Sequence, residues 1–195
     1  MTRSSPAGDR LAALTLIFGQ HPSDLGRWLT VDPEAMPRPY RSLLVHNEHM
    51  TVTVEAHHAS RVNVRVLEVR REDDWYARKI LLTSADTDRV VQFGIMRIDF
   101  RHCTRAVEEA VVAAKTPLGR ILIEHDVLRR ISAESFLRVV PAGELLTDFE
   151  LAVPVTTYGR LATIFCADEP AVELLEVVAP EPEDVEKAEA ASVKD

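Results

Sequence analysis

The segment AVELLEVVA, residues 171–179, puts a carboxylate where a β-strand should carry hydrocarbon. At a period of two, Val172, Leu174, Glu176 and Val178 share one face. A carboxylate buried there needs a cationic or hydrogen-bonding partner, or else it is held protonated, and either state suits it to hold a hydroxyl or move a proton. An edge strand with Glu176 in solvent is the alternative, but Leu175 and Val177 make the other face apolar too, which favours a central strand. Arg65 is the complementary anomaly: in RVNVRVLEV it lies on a face with Asn63, Leu67 and Val69. A guanidinium there is a rigid fork for a carboxylate, although a surface arginine is the commoner state of such a residue. Most of Arg78, Arg97 and Arg160 are expected to face solvent. A third feature is KTPLGRIL, residues 115–122, a Pro-Leu-Gly turn flanked by Lys115, Thr116 and Arg120 that carries more basic and turn chemistry than a simple connection needs.

Other reactive residues form no set. His46 and His49 are three apart and His57 adjoins His58, but no Cys or Asp cluster completes a ligand sphere, so no metal is expected. Cys103 and Cys166 lack ligand spacing and read as reduced packing residues, without disulfide or zinc. There is no G-x-S-x-G elbow, no G-x-G-x-x-G and no P-loop, so neither a serine hydrolase nor a nucleotide cofactor is supported; the cofactor expectation is none.

Positioning these groups requires a sheet. RVNVRVLEVR (61–70), REDD (71–74) and WYARKILL (75–82) describe an antiparallel hairpin, and RVVQFGIMRIDF (89–100) is a third strand. TRAVEEAVVAA (104–114) is a helix capped by Thr104, and after the turn RILIEHDVLRR continues as helix. Strands resume at 132–140, 157–165 and 171–179. Upstream, DRLAALTLIFGQ has helical spacing with Asp9 as cap, SDLGRWL adds a helical turn, DPEAMPRPY is a loop, and 39–60 reads as helix, with MTVTVEA the segment most like a strand. The expected fold is α+β, a six-stranded antiparallel sheet with helices packed on one face. One domain spans 1–180, with residues 1–10 loose, and 181–195 form an acidic disordered tail.

Composition agrees. The 195 residues are 46% hydrophobic and 28% charged, enough for one core. The net charge of −8 includes −4 from the tail, whereas residues 61–105 carry ten basic and seven acidic side chains. A local positive excess inside an acidic protein suits a small anion in a pocket better than nucleic acid. With no long apolar run and no signal-like N-terminus, no membrane partner is expected and the location is read as cytoplasmic.

In order along the chain, HMT (49–51), VRVLEV followed by WYAR, TPLGRIL (116–122), YGR (158–160) and ELLEVVAP (173–180) resemble the chorismate pyruvate-lyase family over roughly residues 40–180. Tyr158 and Leu161 stand where the better-known branch has a tryptophan and a second arginine, so the chain is more similar to the divergent actinobacterial-type branch. The resemblance implies a chorismate lyase-like fold and a ligand pocket at Met50, Arg65, Leu118 and Glu176. Arg65 would grip a carboxylate, Met50 and Leu118 would line the pocket, and Glu176 would meet the hydroxyl end. Arg65 and Glu176 are then the catalytic pair of a cofactor-independent lyase that takes chorismate to 4-hydroxybenzoate and pyruvate. A non-catalytic binder of a small aromatic or sugar acid, or a lyase for a related enolpyruvyl acid, is the alternative. The same fold serves as the effector domain of transcription regulators joined to a helix-turn-helix module, for which the residues before 40 are too few.

Overall fold

A computed structural model describes residues 6–192. Seven strands form one antiparallel sheet among them: β1 (Gly26–Val31), β2 (Val62–Glu72), β3 (Trp75–Ser84), β4 (Val90–Asp99), β5 (Arg129–Pro141), β6 (Thr157–Cys166) and β7 (Glu169–Val178). Their spatial order is β1-β5-β6-β7-β4-β3-β2. Two three-stranded meanders, β2-β3-β4 and β5-β6-β7, therefore join through the β4–β7 pair, and β1 extends the far edge.

The seventh strand is β1, which takes over the second half of SDLGRWL after the expected helical turn. A short helix, α2 (Pro22–Leu25), ends at Gly26, whose φ of 154° favours glycine and whose Cβ would lie 2.4 Å from the Val140 carbonyl oxygen. The chain turns there into an edge strand beside β5, a pairing with residues more than a hundred positions away.

Helices cover both faces of the sheet, a correction to the one-face expectation. On one face, Leu11 and Leu14 of α1 (Pro6–Leu16), Phe18, and Leu145 of α7 (Gly143–Asp148) pack on Ala77, Leu81, Phe93, Leu161 and Val177. The first ten residues are thus not uniformly loose: helix begins at Pro6, and only residues 1–5 fall outside the described chain. On the other face lie α3 (Tyr40–Leu44), α4 (Met50–His58), α5 (Arg105–Val112) and α6 (Leu118–Glu124), above side chains of alternate register. The continuous helix expected over 39–60 is two helices with a break at 45–49. α5 begins where expected, with Thr104 Oγ1 accepting from Val107 N.

Central strands β3 and β4 are buried along nearly their whole length, because helices press on both sides. The tail, expected disordered, is helical as α8 (Pro182–Ser192). Pro182 at its start and Glu183 and Asp184 in its first turn suit a helix N-terminus. Tyr40 holds it: its hydroxyl donates to Asp184 Oδ2 at 3.0 Å and accepts from the Glu181 N–H at 3.1 Å. Residues 193–195 lie outside the described residues. Among those described, no helix is long and apolar enough to cross a membrane.

Candidate ligand site

Between the sheet and the α4/α6 layer lies a narrow cavity of about 50 Å³, lined among others by Met50, Arg78, Gln92, Gly94, Leu118 and Glu176. Three of the four expected site residues, Met50, Leu118 and Glu176, come together here although they are spread over more than a hundred positions of the chain. Register explains the sheet part: Arg78 pairs with Met96, Gly94 with both Ile80 and Glu176, and Gln92 with both Leu82 and Val178, so period two aims all of these side chains at one face.

Arg65 is elsewhere, which corrects its expected role. It pairs in register with Leu81, a residue of the opposite core, and so stands on the other side of the sheet. Its guanidinium is 44% exposed and lies 3.4 Å from Asp88. The arginine in the cavity is Arg78, which shares its face with Tyr76, Ile80 and Leu82. Arg78 belongs to the group of arginines of which most are expected in solvent, yet an arginine among three large hydrophobic residues is a sharper anomaly than Arg65 beside Asn63.

Arg78 is fully buried, and its Nη2 donates to the Thr116 carbonyl at 3.2 Å, which gives the Pro-Leu-Gly turn its first task. Its Nε and Nη1 have no hydrogen-bond partner among the described residues, nor does the buried Tyr76 hydroxyl beside it. Burial pulls the Arg78 pKa down, offset in part by Tyr76. The remainder of the turn packs tightly: a Cβ on Gly119 would sit 3.0 Å from His49 Cβ and 3.1 Å from Thr51 Oγ1, so any larger residue at 119 would have to push the start of α4 outward by a few tenths of an ångström.

Glu176 is buried, as the strand pattern requires, and its partner is Arg160, also buried rather than solvent-facing. Arg160 Nε donates to Glu176 Oε2 at 2.7 Å, Nη1 to the His46 carbonyl at 2.9 Å and Nη2 to the Glu48 carbonyl at 3.1 Å. One side chain thus neutralises the carboxylate and fixes the loop leading into Met50. His49 closes the cavity from that loop, its Nε2 accepting from Arg129 Nε at 2.6 Å. Burial, with Arg129 and then Arg160 nearby, lowers its pKa to about 4. The imidazole is neutral at pH 7, with its proton on Nδ1.

No family model and no curated protein matches the chain. Among solved structures, PhnF from Mycobacterium smegmatis aligns over 90% of this chain and 95% of its own, with a TM-score of 0.53 and 8% identity. The two share a fold. A partial likeness, with a TM-score of 0.46 and 14% identity, extends over 60% of this chain and 85% of the ligand-binding domain of a protein assigned to the GntR family of transcriptional regulators in Bordetella bronchiseptica. A gene product of Staphylococcus aureus gives a TM-score of 0.46 at 12% identity, over 60% of this chain and 82% of its own. At these identities the likeness concerns architecture alone, and the chemistry of the cavity rests on its own residues.

Proposed function

We propose that the protein binds a small single-ring carboxylic acid, with Arg78 holding the carboxylate and Glu176 the polar group at the far end of the ring. The observation that carries this reading is the incomplete set of partners around Arg78. The other fully enclosed cations have carboxylates: Arg160 has Glu176, and Lys79, 3% exposed, has Glu144 at 2.9 Å and Glu68 at 3.5 Å. Arg78 has one carbonyl and two idle donors. A buried charge left in that state costs several kcal/mol, and a ligand carboxylate received by the fork would remove the deficit.

Shape supports the same class. Arg78 and Glu176 are two strands and two residues apart, which at ~4.8 Å per strand and ~3.3 Å per residue separates their Cα atoms by about 12 Å. With both side chains rising from the sheet, one ring with polar groups at opposite ends bridges them. Gly94 lies between, and its missing side chain leaves the floor open. Apolar walls from Met50, Leu82, Leu118 and Leu174 fit the ring faces. Calorimetry with 4-hydroxybenzoate, benzoate and neutral benzamide tests it. Binding in that descending order supports the reading, and equal binding of benzamide and benzoate overturns the role of Arg78.

A second reading, turnover, rests on Glu176 and on the likeness in sequence order to chorismate pyruvate-lyases. Elimination from chorismate breaks the ring C3–O bond, removes the C4 proton and expels the three-carbon enolate, which is protonated to pyruvate while the ring becomes aromatic. The chain would need to hold the ring carboxylate at Arg78, keep the 4-hydroxyl at Glu176, and exclude water. Incubation with chorismate separates the readings: equal amounts of 4-hydroxybenzoate and pyruvate above the uncatalysed rate support a lyase, and tight product binding without turnover supports a binder.

A further inference from the structure

Six buried side-chain polar atoms lack a hydrogen-bond partner among the described residues, and four of them belong to the cavity face of the sheet: the Tyr76 hydroxyl, Arg78 Nε and Nη1, and Gln92 Oε1. The first three adjoin one another and are answered by a single carboxylate. Gln92 is not. It is 3% exposed, it lines the cavity, and its register partners on both sides are the hydrocarbon residues Val178 and Leu82. A buried amide oxygen among hydrocarbons without a donor is as costly as the idle donors of Arg78, and it demands a partner of opposite kind.

The position of Gln92 says what that partner is part of. Glu176 lies two residues before Val178 on the same face, so Gln92 and Glu176 are diagonal neighbours on adjacent strands, close enough for both side chains to meet at one end of a ligand. Arg160 takes Glu176 Oε2 and leaves Oε1. Two acceptors therefore converge on the end of the cavity remote from Arg78. One ring hydroxyl has a single proton and satisfies one of them.

We propose that Gln92 is a specificity-determining residue that reads a second hydrogen-bond donor, so that the ligand is a ring acid with donors on two adjacent carbons at the end away from its carboxylate. One donor meets Glu176 and the other meets Gln92 Oε1. The inference rests on the acid-binding reading above and narrows the ligand class from hydroxylated to vicinally dihydroxylated ring acids.

The experiment compares 4-hydroxybenzoate, 3,4-dihydroxybenzoate and 3-chloro-4-hydroxybenzoate by calorimetry on the full chain, with Gln92→Leu and Gln92→Met as variants checked for cooperative melting. The chloro compound fills the same position without a proton to donate. Wild-type protein is expected to bind the dihydroxy acid roughly three- to tenfold more tightly than the monohydroxy acid, the worth of one neutral hydrogen bond. The chloro compound is expected to show no such gain, and either variant to bind the dihydroxy and monohydroxy acids with equal affinity. Equal affinity for mono- and dihydroxy acids in wild type, or a preference that survives both substitutions, overturns the role of Gln92 and leaves acid binding standing. If none of the three acids binds wild-type protein, the acid-binding reading itself fails and this inference with it.

Discussion

Arg160 and Glu176 stand directly opposite each other on β6 and β7, joined by a 2.7 Å hydrogen bond, and the same guanidinium holds the carbonyls of Leu44, His46 and Glu48. The ion pair is thus also the joint between the sheet and the loop that brings His49 and Met50 to the cavity. Fold and site share one side chain.

Arg160→Met strips Glu176 of its charge partner and frees the loop. A loss of about 3–5 kcal/mol is expected, the cost of breaking one half of a buried pair. Glu176→Gln leaves Arg160 its three carbonyls and should cost clearly less. Urea unfolding of both variants measures the difference, and an Arg160→Met protein within about 1 kcal/mol of wild type would show that the pair does not organise the loop.

Arg78 and Arg65 should separate function from stability. Because Arg78 lacks a carboxylate in the free protein, Arg78→Met is expected to leave the fold as stable as wild type or up to a few kcal/mol more stable, while lowering affinity for 4-hydroxybenzoate by roughly a hundredfold. Arg65→Ala, at an exposed pair with Asp88, should change stability by no more than about 0.5 kcal/mol and leave binding intact. Thermal melts and calorimetry on both proteins decide it; weakened binding in Arg65→Ala would return that residue to the site.

His49 supplies a pH dependence. Its folded pKa of about 4 lies below the ordinary value of 6.5, so the fold favours the neutral ring. The stability it contributes is present above pH 6.5 and is lost as pH falls through that window toward 4. His49→Gln retains a hydrogen-bonding amide for Arg129 and has no proton to gain, so its melting temperature should fall less than that of wild type between pH 7 and pH 5. Parallel wild-type and variant curves would show that Arg129 does not require a neutral partner.

Asp148 acts in the other direction. Burial and the neighbouring Glu144 raise its carboxyl to about 6, against smaller pulls from Lys79 and Arg65, and its Oδ2 is buried without a hydrogen-bond partner among the described residues. A raised carboxyl favours the protonated fold, so this contribution to stability is full below about pH 4 and lost as pH rises through 6. Asp148→Asn should raise the melting temperature at pH 7 by roughly 2–4 °C, the equivalent of about 1 kcal/mol after solvent screening. No gain at pH 7, with none at pH 4 either, would mean that the carboxylate is stabilised by contacts the side chain makes in its charged form.

Much was legible in the sequence because it depends on neighbours along the chain. Six strands, the capped helix after Thr104, the Pro-Leu-Gly turn and the need of Glu176 for a buried partner all follow from period-two or period-3.6 patterns and from local turn chemistry. The tail helix and the start of α1 were missed for a reason of the same scale: Tyr40 and the sheet hold segments whose own composition is weakly structured.

What only the tertiary structure decided is which face of each strand meets which layer. Period two states that Arg65, Asn63 and Leu67 share a side, and that Arg78, Tyr76 and Ile80 share a side, but it is silent on which side carries the cavity. That choice is made by hydrogen-bonded register: Arg65 falls opposite Leu81, on the side of the sheet that carries α1 and α7, whereas Arg78 falls opposite Met96 and reaches the turn before α6. A shift of one residue in the β2–β3 pairing would carry Arg65 to the cavity face, and one in the β3–β4 pairing would take Arg78 off it. The identity of Glu176's partner is of the same kind, since Arg160 reaches it across β6–β7 through pairing that no local pattern contains.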